Sequence, residues 1–562
     1  MKHKIHYQSH SPLIRLLALL FLRLGMCTHL LDRYSDCDFI QRPQEDGGVS
    51  PFVIEESCEE NTPERIEAFR QNLLSADPTI DERIPESNAI DAVNRESSPQ
   101  AQAFQWMIEN EALDCLTPLS QVQRFVLSSF YFGTDDSSTL ESQWMEPEKS
   151  ECEWNFRRAI PRPERTLIRF SICLYTGELA YLDIPGGFNF KDRIIIPPEL
   201  AILSNLRSFT MQDQRVPVSS PMSSVLLSLN KLTHLDLGGV NSIINFDGDM
   251  PDELAQLTDL KYLSLGNFMN GTMISEIGNL NKLTHLVLRC KLTGVIPASI
   301  GKLTNLHHLD LYNNDLDGPI PDEFSSLTKL EYLFMNSNNF DSFPPGVGGF
   351  TNLKGLSYSS NPVVGPLPTE MGALSRLEYL YMYGPPITGV YNAWDEGSAE
   401  GVLDSYLPEE WSGMTALEIL SLEGQGVTGT LPASWGDGMK SLRMLHLGTN
   451  HITGTLPPEW SGMESLQRFE LQNNGLTGTI PSEYNSLSDL SRFFLNFNDE
   501  MSGTIPSIRS LYKIIFEGTN ITFLDGSIPS DFDGDCSTRY DFETDCYNSR
   551  PDLCFEGWCR DE

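Results

Sequence analysis

Leu292–Pro321 reads LTGVIPASIGKLTNLHHLDLYNNDLDGPIP, and the phrase L-x-x-L-x-L-x-x-N-x-L-x-G-x-I-P within it returns about every two dozen residues. Its leading leucines are Leu260, Leu283, Leu306, Leu330, Leu353 and Leu377, then Leu417, Leu442, Leu466 and Leu490. A chain with that period is a solenoid, whose units touch only their neighbours and present a long surface for holding something. In Leu306-His307-His308-Leu309-Asp310-Leu311 the leucines alternate as in a strand with one buried face. They are expected to point inward, with His307, His308 and Asp310 outside. Stacked units then form a parallel sheet on the concave side over one continuous leucine core.

An asparagine closes the strand at Asn314, Asn338, Asn361, Asn450, Asn474 and Asn498, where a buried amide can pair backbone groups of adjacent coils. Val240, Phe268 and Lys291 take that slot in earlier copies, so that end is expected to be less regular. The second half of the unit, G-x-[I/L]-P, begins at Gly294, Gly318, Gly365, Gly429, Gly454, Gly478 and Gly503. Glycine permits a turn other residues resist, and proline fixes φ and removes a ladder donor. Together the leucine frame and the Gly-Pro phrase resemble the plant-type leucine-rich repeat. That repeat is found in ectodomains of plant receptor kinases and receptor-like proteins, and in related secreted inhibitors. The resemblance covers roughly Leu179 to Pro529, with ragged early copies at Leu179 and Leu206 joined by IIPPELAILSNL. It implies an α/β leucine-rich repeat solenoid, a horseshoe with a parallel concave sheet, a helical N-terminal cap and a disulfide-type C-terminal cap.

The chain has 562 residues and a net charge of −38. That acidity excludes nucleic acid, which needs a basic footprint, and favours a solvated surface repelled by anionic membranes. Of eleven cysteines, only Cys290 lies well inside the repeats. Cys536, Cys546, Cys554 and Cys559 crowd the end, where the last coil exposes its core and needs a cap. A disulfide-bonded cap fits an oxidising compartment; zinc is the competing reading, weakened by the lack of any C-x-x-C pair. Cys152-Glu153-Trp154 followed by Cys173 resembles the N-terminal cap of plant-type repeats, which implies a Cys152–Cys173 bridge. The stretch between them is longer than the family's.

The expected organisation is a signal peptide or anchor over residues 1–31, an acidic disordered segment over 32–99 and a helical cap with the C-x-W phrase over 100–178. Repeats follow over 179–530, with an insertion at about 391–406, and a Cys-rich cap over 531–562. Leu13–Cys27 is a short leucine run with basic residues ahead of it, and a secretory signal, an uncleaved anchor and an amphipathic helix all fit it. Composition from Asp32 to Pro99 is acidic and poor in aromatics, as in a linker or tail. Ala101–Ile108 and Val122–Leu127 read as short helices covering the first coil. That preface followed by C-x-W is similar to the layout of leucine-rich repeat proteins predicted in diatoms.

Catalytic signatures are missing: there is no G-x-G-x-x-G loop, H-R-D phrase or P-loop. His307 and His308 beside Asp310 mimic a catalytic pair, but no strained elbow presents a nucleophile. Asp531–Asp535 falls short of a calcium loop, with Cys536 in the glycine slot and Phe542 at the twelfth place. No cofactor or metal is expected. Asn270 and Asn520 head N-glycosylation sequons.

The outward strand positions carry His285, then His308, Asp310 and Tyr312, then Tyr332 and Phe334, then Tyr379, Tyr381 and Tyr383. On strands about 4.8 Å apart these should form one patch, and exposed amphipathic rings are typical anchors for a partner. Stacking that merely stabilises the sheet is the plainer alternative. The expected function is a non-catalytic recognition protein, extracellular or at the cell surface, binding a peptide, glycan or protein, with or without a separate signalling co-receptor. A structural or adhesion protein and a cytoplasmic scaffold are the alternatives. Membrane attachment rests only on the N-terminal segment.

Overall fold

The computed structural model describes residues 62–82, 98–110, 116–132, 155–156, 168–169, 171–173, 179–184, 197–211, 225, 228–238, 248–266, 269–363, 365–383, 405–508, 510–511, 513–516, 518–522, 554–555 and 558–559. Among these, fifteen strands make one sheet running from Ser171–Cys173 to Lys513–Ile515. Ser171–Cys173 lies antiparallel to Leu179–Ile184, and the later pairings are parallel. The register aligns Leu263, Leu286, Leu309, Leu333, Leu356, Leu380, Leu420 and Leu445 in one line, each with no exposed surface. Burying one such side chain stabilises the coil by about 1.5–3 kcal/mol, so the repeated leucine supplies the solenoid's core.

Across the core, each G-x-[I/L]-P phrase turns the chain onto the convex side. All seven phrase glycines hold positive φ, from 70° at Gly318 to 118° at Gly365. The proline then precedes a short 3-10 turn, as at Ala298–Lys302 and Asp322–Ser326. Its carbonyl accepts the N–H three residues on, Ile300 to Pro297 at 3.0 Å and Phe324 to Pro321 at 2.9 Å. From the fourth copy of this phrase a second sheet forms on the flank from Thr428–Thr430, His451–Gly454, Gly475–Thr479, Glu500–Thr504 and Asn520–Thr522.

The strand-closing asparagines join the coils. Asn338 Nδ2 donates to Leu311 O in the preceding coil and to Met335 O in its own, at 2.7 and 3.1 Å, while its Oδ1 accepts from Leu316 N at 3.2 Å. Asn314, Asn361, Asn450, Asn474 and Asn498 make the same two-coil pattern. The residue before each asparagine is left-handed without being glycine: Asn313, Ser337, Ser360, Thr449, Asn473 and Phe497, at φ 54–59°. That conformation costs about 1 kcal/mol or more per residue, and it aims the following amide into the core.

Beyond the insertion a second staple appears. Trp411, Trp435 and Trp460 stack at 6.2 and 5.9 Å, nearly parallel. Their indole N–H groups donate to Pro368 O, Pro408 O and Pro432 O of the preceding coils at 2.8–2.9 Å, and Tyr484 OH continues to Pro457 O at 3.0 Å. Strand Tyr379–Tyr381 pairs directly with Ile419–Ser421, so the inserted residues leave the concave sheet unbroken. The coil resumes by Ser405, whose Oγ accepts from Leu367 N at 2.8 Å.

At the N-terminal end lie helices α1 (Pro63–Ala76), α2 (Pro99–Asn110) and α3 (Pro118–Phe132). Val126 and Leu127 of α3 join the repeat core. Ordered structure also reaches into the segment that composition assigned to disorder, which corrects that boundary. Thr62 caps α1, and Phe69 and Leu73, one helical turn apart, bury with Ile80 against Phe104 and Phe125. Two apolar side chains at helical spacing sufficed where average composition did not.

The leader, the insertion's core, Cys152, Cys536, Cys546 and the acidic turn at Asp531 lie outside the described residues. Only the backbone is described at Cys173 and at Cys554 and Cys559, which sit opposite one another in the antiparallel pairing of Cys554–Phe555 with Trp558–Cys559. Cys290 is buried, and its Sγ donates to Leu265 O at 3.5 Å.

Two substitutions test the staples by guanidinium denaturation. Asn338→Ala leaves buried backbone groups unpaired and should cost about 2–4 kcal/mol. Thr449→Gly relieves the left-handed backbone and should stabilise by about 0.5–1 kcal/mol.

Candidate functional site

The concave sheet exposes side chains in ranks that run across the strands. The first rank is His234, Tyr262, His285, His308, Tyr332, Gly355 and Tyr379, in consecutive register. Its rings follow one another closely: His234 stacks on Tyr262 at 6.2 Å and His285 on His308 at 5.8 Å, while Tyr262 and His285 at 5.7 Å and His308 and Tyr332 at 5.9 Å are tilted to one another. The Thr233 and Thr284 hydroxyls meet Nδ1 of His234 and His285 at 2.9 and 3.0 Å and fix those rings. Each of these rings thus has another ring on its neighbouring strand within 5.7–6.2 Å.

The second rank holds Asp236, Ser264, Val287, Asp310, Phe334, Ser357 and Tyr381. Here the structure corrects the expectation for Asp310, which is fully buried. Arg289 donates to its Oδ2 through Nε and Nη2 at 2.9 and 2.6 Å, and Tyr312 N donates to Oδ1 at 2.9 Å. Burial works against the Arg289 charge, but Asp310 more than offsets it and the guanidinium ends above its ordinary value. The same guanidinium lies 5.8 Å over the Tyr312 ring, which remains 39% exposed. Asp310 therefore positions Arg289 and Tyr312 and does not itself face a ligand. Tyr381 is also sunk to 7% exposure; burial raises its hydroxyl well above the usual range. Tyr383 packs edge-on against it at 6.5 Å.

His285, His308, Tyr332, Phe334, Tyr379 and Tyr383 are each part-exposed. Between the two aromatic groups runs a strand with only Gly355, Ser357 and Ser359 at its outward places, which the sequence reading passed over. A methyl group at Gly355 would stand 3.0 Å from Tyr332 Cδ1 and 3.8 Å from Phe334 Cε1, so both rings lean over this low strand.

A polar group was also missed. His446 is 4% exposed, and burial pushes its pKa down to about 4 even though Glu470 opposes the change. Its Nε2 stands 3.9 Å from Glu470 Oε2, while Arg468 Nε donates to Glu470 Oε1. The repeat masks this cluster in sequence, because its members are some two dozen residues apart and only register unites them. Among the described residues no group of three His, Cys, Asp or Glu side chains could hold a metal ion. Asn270 and Asn520 are both exposed. No helix among the described residues is long and apolar enough to cross a membrane.

Residues 205–353 and 263–405 match the leucine-rich repeat region family, and residues 415–476 match the leucine rich repeat family. The chain carries leucine-rich repeats. Among solved structures similar to this leucine-rich-repeat protein is a TDR receptor, 27% identical, at a TM-score of 0.53 over 61% of this chain and 56% of that one. The plant peptide hormone receptor RGFR1 in complex with RGF2 is 24% identical, at 0.52 over 63% and 60%. The Arabidopsis receptor kinase HAESA, in complex with the peptide hormone IDA and the co-receptor SERK1, is 24% identical, at 0.58 over 72% and 62%. The chain thus spans 56–62% of the length of these receptors. No curated protein matches it by sequence.

The buried histidine gives a pH prediction. A folded pKa of about 4 against the ordinary 6.5 means that the unfolded chain binds the proton first. Stability is then lost as pH falls from about 6.5 towards 4, by about 2–3 kcal/mol from this group. The gap in unfolding free energy between the parent and His446→Gln should shrink by that amount over this window; a gap independent of pH refutes the assignment.

Proposed function

We propose that this leucine-rich-repeat protein is a non-catalytic recognition protein of the cell surface or extracellular space. It takes a peptide or protein partner on the concave face between His234 and Tyr383. The observation that carries this reading is the pair of aromatic groups flanking the low strand at Gly355, with Tyr312 the most exposed ring. Part-exposed rings held rigidly on a sheet lose little conformational freedom on binding and offer both apolar area and polar tips. Because the first-rank rings crowd one another at 5.7–6.2 Å, a sugar ring has little flat surface to lie on there. Side chains of a peptide can instead lodge between ring edges.

RGFR1 and HAESA carry peptide hormones in their structures; the likeness to them reaches the fold, and the peptide reading rests on the rings. The exposed sequons at Asn270 and Asn520 fit a secretory route.

Capture from a surface-protein extract by the immobilised chain tests the proposal. Phe334→Ala with Tyr379→Ala should reduce capture of the retained partner by roughly tenfold or more, with little change in the unfolding midpoint. Glu323→Ala, exposed on the convex side, should leave capture unchanged. Equal capture by parent and double variant, or none by the parent, overturns it.

A further inference from the structure

After Tyr383 the concave face changes chemistry. The second rank becomes Ser421, His446 and Glu470 in register, and the third carries Glu423, Gly448 and Gln472. Ser421 and Gly448 are small, and they leave a notch between taller neighbours. Gln472 leans into it, since a methyl group at Gly448 would collide with the Gln472 amide.

The notch is rich in acceptors and poor in donors. His446 Nε2 is buried without a hydrogen-bond partner, and so is Gln472 Oε1. Glu470 Oε1 is taken by Arg468, while Oε2 lies on the His446 side at 3.9 Å. Glu423 is part-buried; burial, then the nearby Glu470, raise its carboxyl above the ordinary value. Arg468 is bonded to Glu470 and acts on Glu423 as well, so two carboxylates share this cation. Buried polar atoms without partners cost free energy unless something supplies the missing donor.

The donor that fits is small, positively charged and tetrahedral. A hydroxyl brings one donor and no charge, and a guanidinium is a wide planar fork. A primary ammonium brings three N–H groups and one compact charge. With its proton on Nδ1, neutral His446 accepts at Nε2, beside the oxygens of Glu470, Gln472 and Glu423. We propose that Glu423, His446, Glu470 and Gln472 form a pocket for the ammonium group of a lysine side chain on a peptide partner. This rests on the concave face being the recognition surface and adds which partner residue the C-terminal half selects.

The test is a titration of the full chain, labelled with 15N-histidine, with Nα-acetyl-lysine methylamide. The His446 ring signals, assigned through His446→Gln, should move saturably. The Nε-acetylated probe should produce no shift, and Glu423→Gln should weaken the response by roughly tenfold or more. No movement with the lysine probe overturns the pocket, as does equal movement with the acetylated probe or a larger response to calcium chloride. Should Glu423→Gln fail to fold, the comparison of the two probes decides alone. A failed titration beside intact capture through Phe334 and Tyr379 removes only the pocket, whereas lost dependence on those rings removes the recognition surface itself.

Discussion

From Asn314 onward the concave sheet is braced by an asparagine amide that ties its coil to the one before it, at Asn314, Asn338, Asn361, Asn450, Asn474 and Asn498. A solenoid corner leaves backbone N–H and C=O groups without ladder partners, and burying them unpaired is costly. Asn338 and its counterparts satisfy groups of two coils at once, at the cost of a left-handed residue before each. The parallel backbone ladder sets how far one strand sits from the next, and that spacing makes separate outward side chains into continuous ranks. The indole ladder from Trp411 to Trp460 adds a second tie on the convex side, only after the insertion. The half after the insertion thus carries both ties and shares one sheet with the half before it.

The fold was legible because its determinants are periodic. Leucine alternation, the glycine at positive φ and the proline after it each announce one local constraint, and repetition removes ambiguity. The site was legible only in part, because an outward letter does not reveal its depth. Asp310 stands at an outward place yet is fully buried, since Arg289 from the preceding strand reaches across to it. Tyr381 is sunk between its neighbours in the same way. The low strand at Gly355 and the cluster around His446 arise from register between coils, which a reading along one coil cannot see. Phe69 and Leu73 show the converse: two apolar letters in an acidic stretch order α1 because a partner surface exists for them.

Along the face, chemistry is divided at the insertion. Before it, rings fixed by stacking and by the Arg289–Asp310 pair offer apolar edges and Tyr312. After it, buried charges and orphaned acceptors dominate around His446. A partner lying across both halves would meet an aromatic region and an acidic notch on a sheet that neither interrupts.

Side-chain footprinting by hydroxyl radicals, with and without the captured partner, tests the central claim most directly. The account predicts reduced oxidation at Tyr312, Tyr332, Phe334, Tyr379 and Tyr383, with exposed Tyr406 and Phe497 unchanged. Unaltered oxidation of those concave rings, with protection at Tyr406 or Phe497 instead, would contradict it.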